Sequence, residues 1–238
     1  MIRQVLLGAL LITSVSAQAD YQCKVSPRDD VVITPQSVQV VGQNGNLVIA
    51  PDGSVQYNGE AKNLTAAQRQ QAVSYQKALR ADLPWIDNGA LTRLEKGRVA
   101  LDGIIAKEVG SDSKMRDRLT RLDSQLKQQM NRIIEHRPDG LTFHYKAIDQ
   151  VRSEGQQMVN QAMGGILQDS INEMGAKAVL SGGGNPLQNV LGNLGGLQTA
   201  LQNEWKSQQA DFEQFGHDVC AKVVSLEDQR KALVSTLK

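Results

Sequence analysis

Apolar residues between about residue 24 and residue 64 come in short runs. Val31-Val32-Ile33 is ended by Pro35, Val38, Val40 and Val41 follow, and Leu47-Val48-Ile49 comes after Asn44-Gly45. Asp52-Gly53 precedes Val55 and Tyr57, and Asn58-Gly59 closes the series. Asn-Gly and Asp-Gly supply the positive-φ residues of tight hairpin turns. The spacing therefore predicts a small antiparallel β meander. So small a sheet does not stand alone and needs a helix or a partner on its apolar face.

The pattern changes at Leu64. Thr65-Ala66-Ala67-Gln68 is a capping box, in which the Thr oxygen takes a free amide and Gln68 reaches back. A helix is predicted to Ala81 or Leu83, where Pro84 and Asp87-Asn88-Gly89 punctuate it. A second helix covers about 90–109 and stops at Gly110. A third, about 113–136, carries Met115, Leu119, Leu122, Leu126, Met130 and Ile133 at spacings of three and four. Pro138-Asp139-Gly140 breaks the chain again, and residues 141–145 read as briefly extended. A fourth helix is predicted over about 146–180, ended by Ser181-Gly182-Gly183-Gly184-Asn185-Pro186. A last long helix starts near Leu187 and bears Leu191, Leu194, Leu201, Trp205, Phe212, Phe215 and Val219. Ser225 with Asp228 marks a possible separate terminal helix.

The first nineteen residues stand apart. Arg3, the apolar run from Val5 to Ile12 and Ala17-Gln18-Ala19 make a signal peptide, with cleavage leaving Asp20 first. The expected organisation is a signal peptide over 1–19, a β meander over 20–64 and a helical bundle over 65–238, the last two folding together. The expected compartment is the periplasm. In an oxidising space, two cysteines, Cys23 and Cys220, pair by default, and two buried free thiols are the alternative. Lys+Arg total 26 against 25 Asp+Glu, so loss of Arg3 leaves a neutral chain. That balance gives no electrostatic footprint for nucleic acid. Aromatics are only 4%, which favours packed helices over an aromatic-rich barrel.

Candidate chemistry is sparse. Ten of the 21 glycines fall between Gly155 and Gly196, several of them inside helical pattern. Each costs a helix about 1 kcal/mol against Ala. Close helix packing or kinks would offset this, and a membrane-touching hairpin is the functional alternative. His136, His144 and His217 are the only histidines, and they read as surface or capping groups rather than as metal ligands or bases. Asp29-Asp30 and Asp82 with Asp87 are possible carboxylate pairs, each expected as a cap. Trp85, Trp205 and the aromatics Phe143 and Tyr145 read as packing anchors, with a partner face as the alternative. No hydrolase, zinc, redox or calcium motif is present. No catalytic, cofactor-binding or metal residue is therefore assigned, and no cofactor is expected.

LPWIDNGA, EKGRVALDGIIA, MNRIIEHRPDGLTFHYKAIDQV and QAMGGILQDSINEMGAKAVL resemble the YggN-like family of small secreted proteins, along the whole chain. The resemblance implies a periplasmic location and brings no catalytic residues. The expected fold is α+β and mostly α, with a small N-terminal antiparallel β meander packed on a bundle of long helices and closed by Cys23–Cys220. The expected function is non-enzymatic binding of an envelope partner. The alternatives are membrane-surface association through the glycine-interrupted helices of 146–215, and a hydrolase. The oligomeric state is open.

Overall fold

The alternation read in residues 24–64 becomes five antiparallel strands in the computed structural model of the chain, which describes residues 23, 25–43, 45–180 and 186–237. The signal peptide at 1–19, Asn44 and the glycine turn at 181–185 lie outside the described residues. The strands are β1 (Asp29–Ile33), β2 (Val38–Gly42), β3 (Gly45–Ile49), β4 (Val55–Tyr57) and β5 (Glu60–Ala61). Asn58 and Gly59 hold φ of +54° and +83°, as a two-residue hairpin turn requires. Alternate residues of β1–β4, from Val31 and Ile33 to Val55 and Tyr57, are buried on one face. On the other face Val32, Gln39, Val48 and Gln56 lie in one cross-strand row, with Asp30, Val41 and Asn46 in the next.

The meander is only part of the sheet. β6 (Ile134–Arg137) and β7 (Gly140–Phe143) form a hairpin, and β7 pairs with β1 to give the order β5-β4-β3-β2-β1-β7-β6. The sequence reading carries the third helix to His136, but the helix ends at Ile133, and Ile134 is already extended. The β-branched pair Ile133-Ile134 and the constraint that Pro138 puts on Arg137 favour a strand there. β1 supplies the edge it needs through β7.

The helices are α1 (Ala66–Glu108), α2 (Lys114–Ile133), α3 (Ala147–Leu180) and α4 (Pro186–Ser235). The capping box forms as read: the Gln68 amide donates to Thr65 Oγ1 at 3.3 Å and the Thr65 amide to Gln68 Oε1 at 2.8 Å. The expected break between two helices at residues 84–89 is absent, and α1 runs through Pro84. Proline there removes one intrahelical hydrogen bond, a cost of about 3 kcal/mol. Burial of Leu79 and Leu83 beneath the sheet and packing on α4 offset it. Gly89 is not a stop signal but a recess. A Cβ on it would lie 2.4 Å from the Phe215 ring of α4. Ser225 begins no separate helix either, since α4 continues to Ser235.

Two apolar clusters result. One lies between the sheet and the helix ends, with Ala72, Tyr75, Leu79 and Leu83 of α1 and Leu226, Leu233 and Val234 of α4. The other lies far along the helices, where Ile105, Met115, Leu119, Ile166 and Leu197 meet. Gly165 belongs to that end, because a Cβ would sit 2.3 Å from the Arg118 guanidinium. Gly164 and Gly195 face open space, so close packing accounts for some of the helical glycines and not for others. Cys23 and Cys220 are bonded, with Cα atoms 5.5 Å apart and 197 residues between them in sequence.

Two stability predictions follow from this packing. Closing so long a loop is worth at most about 5 kcal/mol in chain entropy, and 2–4 kcal/mol is usual. Cys23→Ser with Cys220→Ser, or reductant, should therefore cost about 3 kcal/mol in chemical unfolding. Gly89→Ala gains about 1 kcal/mol of helix propensity but forces the Phe215 ring aside, which costs roughly 1–3 kcal/mol. Urea titration should show a net loss for Gly89→Ala and none for Gly164→Ala.

Candidate functional site

A charged corner lies where β1, β6 and β7 meet the start of α3. Strand alternation sends Asp30 to the outer face of the sheet, opposite its buried neighbour Asp29. Asp30 Oδ1 accepts the Tyr145 amide at 3.0 Å, which fixes the turn after β7. His144 follows that strand, and its Nδ1 lies 3.8 Å from Asp30 Oδ2 while its Nε2 lies 3.1 Å from Glu135 Oε2 on β6. Arg132 at the end of α2 reaches Glu154 and Gln150 of α3. Lys146 stands 5.7 Å over the Tyr145 ring. Together Asp30, Asn131, Arg132, Glu135, His144, Lys146, Ala147 and Gln150 line an open depression of about 550 Å³.

This geometry limits the chemistry. Both ring nitrogens of His144 face carboxylates. Nε2 is within hydrogen-bond distance of Glu135 Oε2, whereas Nδ1 stands too far from Asp30 Oδ2 for a direct hydrogen bond. The imidazole is thus used as a bridge between strands. Among the described residues, no Ser, Thr or Cys lines the depression. The hydrolase reading asks for an enclosed pocket joining carboxylates to His144; the groups do meet, but on an open surface. Among the described residues, no group of three or more His, Cys, Asp and Glu is placed to hold a metal ion.

The other sequence candidates separate. Asp82 bonds Lys222 of α4 at 2.6 Å, and Asp87 bonds His136 of β6 at 2.7 Å, so the two do not form a pair. Neither is a cap, because both lie inside α1. Trp85 packs on Phe215 at 5.4 Å between centroids, with Lys222 over its ring at 4.7 Å, while remaining 39% exposed. His217 lies exposed on α4. The Trp205 side chain lies outside the described residues.

Sequence reasoning singled out none of Arg132, Lys146 and Gln150, although all lie in the segment around Pro138 quoted above, because only the β6–β7 hairpin brings them together. It also missed Arg230. This side chain donates twice to Glu227, at 2.8 and 2.7 Å, and its Nε lies 3.4 Å from Asp29 Oδ2. Asp29 Oδ1 is buried with no hydrogen-bond partner. Tyr75 is buried beside this cluster, and burial pushes its phenol up.

The cluster predicts acid sensitivity. The Arg230 guanidinium holds the Glu227 carboxyl below its ordinary value of 4.5. The unfolded chain therefore takes up this proton first. Glu227 adds stability above its unfolded pKa, and that contribution is lost as pH falls through the lower folded value. Arg230→Met should remove this part of the acid limb. It also leaves Asp29 buried without a cation, at a cost of about 3 kcal/mol. Urea unfolding of both chains across acid to neutral pH checks this.

Comparison with known proteins completes the description. The family model described as "Protein of unknown function (DUF2884)" matches residues 23–238. The proteins called "Uncharacterized protein YggN" of Escherichia coli K12 and of Escherichia coli O157:H7 are each 70% identical over 239 residues, which is 100% of this chain and 100% of theirs. No solved structure matches. The long motifs around Pro84, Pro138 and Gly164-Gly165 thus point to the same relatives as the whole-length comparison, and the chain belongs to the DUF2884 family as a homologue of YggN.

Proposed function

We propose that the protein is a non-enzymatic component of the periplasm that binds a partner of the cell envelope through the outer face of its sheet. The observation that carries the reading is a juxtaposition. Val32, Val41 and Val48 lie among Gln39, Asn46 and Gln56 on the face away from the apolar cluster, and Val41 is 41% exposed. Asp30 shares the Val41 row and leads directly into the charged depression around His144 and Arg132. An apolar centre beside a polar, charged margin is the anatomy of a protein–protein contact. The leader pattern of residues 1–19 and the disulfide support an oxidising compartment. No helix of the described residues is long and apolar enough to cross a membrane.

Site-specific photo-crosslinking in living cells tests the proposal. A crosslinker at Val41 or Gln39 should yield one discrete adduct, which Val41→Glu, with the crosslinker at Gln39, should abolish. A crosslinker at Lys107, far along α1, should not give it. Adducts of equal yield from all three positions, or from none, would remove the support for the sheet face.

A further inference from the structure

Strand alternation on β6 sends one cation to the outer face of the sheet. Ile134 is buried in the inner cluster and His136 bonds Asp87 of α1, so Glu135 and Arg137 lie on the other side. Arg137 Nε and Nη2 are closed to water and have no hydrogen-bond partner. Asp139 Oδ1, on the turn, lies 3.6 Å from Nε, too far for a hydrogen bond. Nε and Nη2 are the donors on one side of a guanidinium, the fork that a single carboxylate fills. Leaving buried donors unfilled is costly, and turning the side chain outward breaks no hydrogen bond of that fork.

Lys146 is a second cation of the same kind. It borders the charged depression, exposed, with its Nζ 5.7 Å from the Tyr145 ring and no ion pair among the described residues. The neighbouring charges are engaged within the chain. Asp30 takes the Tyr145 amide, Glu135 takes His144, and Arg132 is paired with Glu154. The acids of this corner are thus used and two of its cations are not.

The edges of the sheet offer a partner little. The His144 amide donates to Ile133 O, so the odd-numbered residues of β6 bond β7, while Ile134 and His136 turn their amides to the free edge. Met130 O already holds the Ile134 amide, and Asn131 Oδ1 holds the His136 amide at 3.3 Å. β5, at the opposite edge, is two residues long. Contact therefore falls on the face rather than by adding a strand.

We infer that the occupant of this face is a protein segment whose carboxylates reach Arg137 and Lys146 while its apolar side chains cover Val32, Val41 and Val48. The inference deepens the sheet-face reading and rests on it. Charges at the rim of an apolar patch set the orientation and choice of partner. An anionic bilayer fits less well. It asks for clustered basic residues and aromatic anchors. Here Asp30 and Glu135 stand beside the cations, and the valine rows hold no Trp, Tyr or Phe.

The photo-crosslinker at Gln39, in living cells, reads the effect. Arg137→Glu and Lys146→Glu should each lower the yield of the discrete adduct about tenfold. Lys146→Arg should retain it, and so should Lys107→Glu, the same kind of charge reversal far along α1. Mass spectrometry should place Asp or Glu in the crosslinked segment of the partner. Changing that acid to Lys should restore the adduct of Lys146→Glu, which a merely unfolded variant would not allow. An adduct that both reversals leave at full yield, or a crosslinked segment without an acid, overturns this inference and leaves the sheet-face reading standing. No adduct from Gln39 removes both. Flotation of the purified chain with phosphatidylethanolamine–phosphatidylglycerol vesicles, weakened by the same reversals, overturns it in favour of a membrane.

Discussion

A seven-stranded sheet with one apolar face must be covered, and the chain builds that cover from the two ends of its helical region. Ala72, Tyr75, Leu79 and Leu83 come from the first turns of α1, and Leu226, Leu233 and Val234 from the last turns of α4. Everything between is an excursion that has to return. Cys23–Cys220 and the Arg230–Asp29 contact both mark the return, since each ties the start of the β region to α4. The energy of these ties is not interchangeable. The disulfide acts by shrinking the unfolded ensemble. Arg230 acts by compensating a buried carboxylate that otherwise costs more than it returns. The first tie therefore depends on redox state, and the second does not.

The same cover decides which surface is left. Because helices fill one face, period-two alternation places Val32, Val41 and Val48 on the other. The β6–β7 hairpin then extends the sheet past β1 and brings Glu135 beside Asp30 and His144. An antiparallel sheet with one solvated face is ordinary. Here it carries an exposed valine, Val41, near its centre and a charged corner at its rim.

Local signals were legible where they act locally. The hairpin residues, the capping box at Thr65 and the stripe of α2 from Met115 to Leu122 each form as their spacing requires. The disulfide was legible from compartment and count alone. What failed depends on distant partners. Gly89 reads as punctuation until Phe215, far along the chain, fills its recess. Residues 134–136 read as the tail of a helix until β7, paired with β1, offers a ladder. The His144 corner was illegible for the same reason, because its carboxylates come from strands whose adjacency no short window encodes. Pro84 shows the converse, a strong local rule overridden by burial on both sides.

The middle of the long helices explains how two separate cores belong to one molecule. Between Leu83 and Ile105, Asp87 is the only buried residue of α1. Over that span α1 and α4 are joined by other means. Arg93 bonds Asp211 at 2.8 Å and lies 4.0 Å from the Phe215 ring, Phe215 packs on Trp85, and Lys222 covers Trp85 while bonding Asp82. Cation–aromatic and ion-pair contacts of this kind hold register more than they add stability. Each of these contacts needs its own partner at one level of the helix, so sliding α4 by a turn would break them together. An apolar seam of leucines would tolerate such a slip, since one methyl contact resembles the next. The polar seam thus fixes where the distal cluster forms relative to the sheet.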